Sequence, residues 1–150
     1  MKVLAVCISD KKGTPKEPTK SIHVQPGLGV VGDAHAGPGI RQVSLLAQES
    51  HDRFQPMTDV CLKHGIFGEN ITTEGIDLPG LPIGTRMKIG TAELEVSKIG
   101  KECHAPCAIG KRVGNCIMPK EGIFAIVIKE GDIEPGDEIR LENLKKERGV

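Results

Sequence analysis

Glycine and proline interrupt this chain throughout, 19 and 10 of them in 150 residues, and the segments between are short and rich in Val, Ile and Leu. Short β-branched runs bounded by turn residues leave no room for the long helices of a bundle, and they predict a mostly β domain with many turns. The strands fall at Met1–Ile8, Ser21–Val24, Arg41–Leu46, Gly68–Thr72, Thr85–Ile89, Ala92–Ser97, Gly122–Ile128 and Glu138–Leu141. Ala92 to Val96 alternates apolar and acidic side chains, as a half-buried strand does. Ile89-Gly90-Thr91 reads as the turn of a hairpin. Two helices are expected, Ala47–Phe54 and Met57–His64, parted by Pro56 and ended by Gly65. Ile83–Ile89 and Pro135–Leu141 repeat one design, a glycine turn entering an alternating strand. Lys11–Lys20 is polar with two prolines and reads as a mobile loop, and Lys145–Val150 as a fraying tail. Residues 1–142 then form a single domain, with 143–150 as its tail.

Three Phe, no Tyr and no Trp force an aliphatic core and offer few stacking platforms for single-stranded nucleic acid. Zero net charge argues against a general polyanion-binding role, so no nucleic-acid partner is expected. No apolar run reaches the ~20 residues of a membrane helix, so no membrane partner is expected either. The start lacks a signal-peptide pattern, and five cysteines form no regular framework, which together predict a reducing, cytoplasmic setting.

Gly27-Leu28-Gly29-Val30-Val31-Gly32 has the spacing of a dinucleotide fingerprint. That fingerprint must open a helix, and Gly37-Pro38-Gly39 soon after forbids one, so these glycines are turn residues. Asp33 and His35 lie two apart, on one side of an extended segment. A carboxylate there can orient the imidazole for acid–base work or ligand binding, or simply make a structural hydrogen bond. Arg41, Gln42 and Ser44 follow, and Arg41 suits a phosphate or carboxylate. Glu69 and Asn70 interrupt an apolar strand and read equally as site or edge residues. His51 and His64 read as structural, Cys7 and Cys61 as buried thiols, and His23 has no evident partner.

The segment Gly100 to Cys116, GKECHAPCAIGKRVGNC, concentrates three of the five cysteines. From Lys98 to Lys120 five basic residues face one acidic residue. Cys103, His104, Cys107 and Cys116 supply the four ligands of a tetrahedral zinc site, but without the paired C-x2-C spacing of common zinc motifs. The second reading is a reactive thiol, its pKa depressed by Lys101, His104, Lys111 and Arg112, which would also attract an anionic ligand. The third is core filler, against which the basic and glycine-rich setting argues.

Gly29–Gly37 followed by Arg41–Leu46, Phe67–Gly75, Leu81–Thr85 with Ile89-Gly90, the basic cysteine segment, and Cys116–Ala125 with Gly136-Asp137 resemble, in order, the blocks of the MOSC domain family. The resemblance spans residues 3–142 and implies a mostly β, barrel-like fold with a few short helices. It implies binding of the molybdenum cofactor, a molybdopterin, through Asp33, His35, Arg41, Gln42, Ser44, Glu69, Asn70, Lys101, His104, Lys111 and Arg112. In this family one cysteine late in the domain is held to carry sulfur as a persulfide or to ligate molybdenum. Cys107, preceded by Pro106 and followed by Ala108-Ile109, fits that place best, with Cys103 second and Cys116 third. Larger relatives carry a pyridoxal-phosphate-dependent, aminotransferase-like sulfurase domain, which this sequence does not contain.

The expected function is therefore a cofactor binder, carrier or sulfur-transfer protein, with a sulfur-donor protein or a molybdoenzyme as partner. A zinc-binding module on Cys103, His104, Cys107 and Cys116 is the alternative. Reduction of N-hydroxylated compounds, known in some family members, ranks third because no flavin or iron–sulfur pattern accompanies it.

Overall fold

The computed structural model describes residues 1–12, 14–100 and 118–142. Their chain order is β1 (Lys2–Ile8), β2 (Glu17–Thr19), β3 (Ile22–Gln25), β4 (Gly29–Val30), β5 (Val43–Ala47), α1 (Gln48–Phe54), a 3-10 turn (Gln55–Met57), β6 (Ile71–Glu74), a 3-10 turn (Leu78–Gly80), β7 (Arg86–Ile89), β8 (Ala92–Ile99), α2 (Met118–Glu121), β9 (Ile123–Lys129), β10 (Gly131–Ile133) and β11 (Ile139–Glu142). The mostly β class and all eight expected strands are present, with ends shifted by a few residues. β2, β4 and β10 are additions, each too short to leave a periodic signal in the sequence.

One sheet runs β11-β7-β8-β9-β5-β6-β1-β2, and a small sheet runs β10-β3-β4. Neighbours pair antiparallel except β5 with β6. Among the described residues the barrel implied by the family resemblance does not close, and both sheets are open. The reason lies at β1, where Val6 to Ile8 already pair with β2 along the edge that β11 would need. Only the start of β1 meets the chain around β11, through one isolated bridge between Lys2 and Glu138 and backbone hydrogen bonds such as that from the Val3 amide to the Asp137 carbonyl at 2.9 Å.

Alternation along β5 sends Leu45 to one face and Ser44 and Leu46 to the other. The Leu45 face carries the main core, wholly aliphatic, from Val6, Val43, Ile71, Leu94, Ile123 and their neighbours. The other face carries a second cluster, Leu46, Phe54, Ile66, Phe67 and Phe124, which takes in all three phenylalanines. α1 covers this second face, burying Ser50, His51 and Phe54.

Three expectations are corrected. Met57–His64 is not a helix: the 3-10 turn ends at Met57, and Gln55 ties the next residues into an irregular loop by bonding the Val60 carbonyl and the Leu62 amide, both at 2.9 Å. Lys11–Lys20 is not simply a loop, since it contributes β2 and buries Lys16. Cys61 is exposed, because the missing helix leaves nothing to turn it inward. The Gly27–Gly32 stretch forms turns around the β3–β4 hairpin, as expected once the fingerprint is set aside. Gly84 and Gly136, at φ +97° and +95°, open the two repeated turns, and the strands they feed, β7 and β11, pair with each other.

Candidate functional site

Register aligns the candidate residues. Val6, Ile71, Leu45, Ile123 and Ile99 form one apolar row across five strands. One residue along, toward the C-terminal end of β1, runs a second row of Cys7, Asn70, Ser44, Phe124 and Lys98. One residue the other way, the Gly100 amide bonds the Gly122 carbonyl at 2.8 Å, and from there the chain enters residues 101–117. Gly100, the last described residue before that segment, therefore stands two residues, or about 7 Å along the strands, from the second row.

The second row is polar and closed. Asn70 Oδ1 accepts the Ser44 amide at 3.0 Å, and Asn70 Nδ2 donates to the Cys7 carbonyl at 3.1 Å. The Ser44 hydroxyl lies 3.1 Å from the Gly68 carbonyl. Asn70 thus stitches β1, β5 and β6 together where β6 begins. Glu69 is fully buried beside it: His51 Nε2 lies 2.6 Å from Oε2, and the Phe67 amide donates to Oε1 at 3.1 Å. The His51 ring meets Phe67 edge-on, and its Nδ1 has no hydrogen-bond partner among the described residues. Gln42 is buried too and accepts the Val127 amide at 3.0 Å. Gln42, Ser44, Glu69 and Asn70 therefore spend their polar groups on protein partners.

Arg41 is different. It is exposed, and its guanidinium lies 5.7 Å from the Phe124 ring centroid, at cation–π distance. Its planar fork has no ion-pair partner among the described residues and suits an anion.

Asp33 and His35 stand beyond the end of β1. Asp33 Oδ1 accepts the Ser9 amide at 3.0 Å and Lys16 Nζ at 2.8 Å, and Oδ2 accepts the His35 amide at 3.1 Å. The Lys16 and Asp33 side chains are both 0% exposed. Burial pushes the Asp33 carboxyl up, but the nearby His35 side chain and the bonds from Lys16 and the Ser9 amide outweigh it and hold the group well below the usual carboxylate range. The His35 side chain is 32% exposed and lies 3.1 Å from Lys16 through Nδ1. So Asp33 does steady His35, as the spacing suggested, but through the main chain and through Lys16. Nothing in the sequence marks Lys16, because only the tertiary fold buries it.

Cys7 lies in the polar row with its thiol buried. Burial above all, with Glu69 and Glu17 nearby, pushes that thiol up to about 12. It is therefore neither a nucleophile nor a ready metal ligand near neutral pH. Cys103, Cys107, Cys116, His104, Lys101, Lys111 and Arg112 lie outside the described residues. Among the described residues no group of three or more His, Cys, Asp or Glu side chains could hold a metal ion. Nor is any helix among them long and apolar enough to cross a membrane.

The MOSC domain sequence model matches residues 31–140. The fold is similar to that of YuaD from Bacillus subtilis, at TM-score 0.77 and 21% identity, over 93% of this chain and 94% of that one. It is similar to YiiM from Geobacillus stearothermophilus, at TM-score 0.74 and 21% identity, over 95% of this chain and 75% of that one. YiiM from Escherichia coli follows at TM-score 0.67 and 19% identity, over 95% and 70%. No curated protein matches the sequence significantly.

Proposed function

The chain belongs to the MOSC domain family, and on that premise we propose that it binds a molybdopterin-type cofactor and acts as its carrier or as a sulfur-transfer protein. The family match over residues 31–140 is the observation that carries this reading. The site chemistry supports it for the anionic part of such a ligand. Arg41, beside Phe124 and without an ion-pair partner among the described residues, and His35, partly exposed, are two described groups able to meet a phosphate. Lys101, His104, Lys111 and Arg112, which lie outside the described residues, would add positive charge as the family resemblance implies. Asp33, Gln42, Ser44, Glu69 and Asn70 act one layer back, holding the backbone that presents these groups.

A bound cofactor would supply a dithiolene-held metal that accepts soft ligands. Cys7 is unsuited to meet it, and the family resemblance gives the thiol role to Cys107, then Cys103, then Cys116. In the sulfur-transfer form, the Cys107 thiolate takes the outer sulfur of a donor persulfide. The donor leaves as a thiol, and Cys107 becomes the persulfide that passes sulfur to the acceptor. A sulfur-donor protein and a molybdoenzyme are the matching partners.

The test is purification from cells making the cofactor, with pterin fluorescence, elemental analysis and native mass spectrometry on the same sample. Bound pterin and molybdenum, with a one-sulfur increment lost in Cys107→Ser, is the expected result. Wild-type cofactor and sulfur content in both Cys107→Ser and Cys103→Ser overturns the thiol assignment. Stoichiometric zinc that survives dialysis, with no pterin, replaces this reading by the zinc module.

A further inference from the structure

Lys16 Nζ has three close neighbours: Asp33 Oδ1 at 2.8 Å, Ser9 Oγ at 3.1 Å and His35 Nδ1 at 3.1 Å. An ammonium carries three N–H donors and no acceptor, so each neighbour must accept. The Asp33 carboxylate does so. The Ser9 hydroxyl does so while donating its own hydrogen to the Lys11 carbonyl at 3.1 Å. For His35 the consequence is sharper. A ring nitrogen that accepts carries no proton, so the ring proton sits on Nε2.

The competing arrangement would have Nδ1–H donate to Asp33. The nearer carboxylate oxygen on that side, Oδ2, is 3.8 Å from Nδ1, outside hydrogen-bond range. Oδ2 instead takes the His35 backbone amide. Nε2 has no hydrogen-bond partner among the described residues. A buried ion pair is seldom retained for stability alone, since apolar side chains of similar volume often serve as well. Here the pair delivers a directed donor to one specific ring nitrogen.

We propose that Lys16 is a positioning residue that fixes His35 in the Nε2–H tautomer, so that the partly exposed ring keeps its Nε2–H to donate to an anionic oxygen of the bound ligand. The identity of that oxygen, a pterin phosphate, rests on the cofactor-binding reading; the tautomer does not. Lys16 touches no ligand in this scheme and acts only through the imidazole.

Two-bond 1H–15N correlation spectra of the labelled protein, without cofactor and at neutral pH, read the tautomer directly. The His35 signals are assigned by their absence in His35→Gln. A pyridine-type Nδ1 with a pyrrole-type Nε2 in wild type, lost in Lys16→Met, is the expected pattern. A pyrrole-type Nδ1, or an imidazolium, in wild type overturns the proposal whether or not the Lys16 variant folds. The donor role is read in cofactor affinity. His35→Gln keeps an N–H near the Nε2 position and stays within a few-fold of wild type. His35→Asn, which imitates Nδ1, binds about tenfold more weakly or worse, as loss of a hydrogen bond to a charged group implies. Equal loss in both variants overturns the donor role. If wild type shows the tautomer but binds no pterin, the cofactor reading fails while the Lys16 assignment stands.

Discussion

A lysine in a polar, proline-containing stretch ordinarily points to water, yet Lys16 is buried against Asp33. Asp33→Ala leaves that ammonium buried and unpaired, and the expected loss is about 3–5 kcal/mol, measured by urea denaturation near pH 7. The pair also sets an acid limit. The folded-state pKa of Asp33 is depressed, so its contribution is complete above the unfolded carboxyl value of ~3.9 and is lost as pH falls toward the folded value. Denaturation midpoints of wild type and Asp33→Asn should therefore converge as the pH is lowered; a constant gap down to strong acid would contradict this. The cysteines divide just as sharply. Cys61 is exposed and should react with a water-soluble disulfide reagent in the native protein, whereas Cys7, buried and raised to about 12, should react only on unfolding. Peptide mapping after pulse labelling distinguishes them. None of this was legible locally: Cys7 and Cys61 both sit among apolar neighbours, and only the packing around them differs.

Elements that announce themselves by long periodic patterns came out as expected, and short ones did not. β8 alternates from Ala92 to Ser97, where the pattern puts it, and runs on to Ile99 past a register shift. β10 has three residues and gains its identity from β3. Its link is partly ionic: His23 bonds Asp132 through Nδ1 and Glu130 through Nε2, each at 2.7 Å. Hydrogen bonds to those carboxylates, Asp132 first, raise the His23 pKa. The sign follows: this support for the β3–β10 ladder is fully present below the unfolded His value of ~6.5 and is lost as pH rises through the higher folded value. Asp132→Asn should lower the His23 titration midpoint followed by NMR, and added salt should shrink the difference, because the cluster is exposed. His23 had no evident partner in the sequence because Glu130 and Asp132 lie more than a hundred residues away.

For the whole molecule, connectivity governs how the fold is reached. Val6 must find Ile71, and the parallel β5–β6 pair must wait for α1 and the loop after it. Such non-local pairing predicts folding on the millisecond-to-second scale rather than in microseconds. Without Trp or Tyr to report it, stopped-flow far-UV circular dichroism is the measurement; complete recovery of strand signal within the dead time would contradict it. What the sequence by itself determined was the class: glycine and proline spacing made short strands unavoidable, scarce aromatics made the main core aliphatic, and ordered blocks identified the family. What only the tertiary structure decided was which polar residues turn inward. Gln42, Ser44, Glu69 and Asn70 look like Arg41 and His35 in one dimension, but the tertiary fold buries the first four on protein partners and leaves Arg41 exposed and His35 partly so. It likewise left the sheet open, because β2 occupies the edge of β1 on which a barrel would have closed. Burial and edge pairing depend on partners far along the chain, and local pattern carries no record of them.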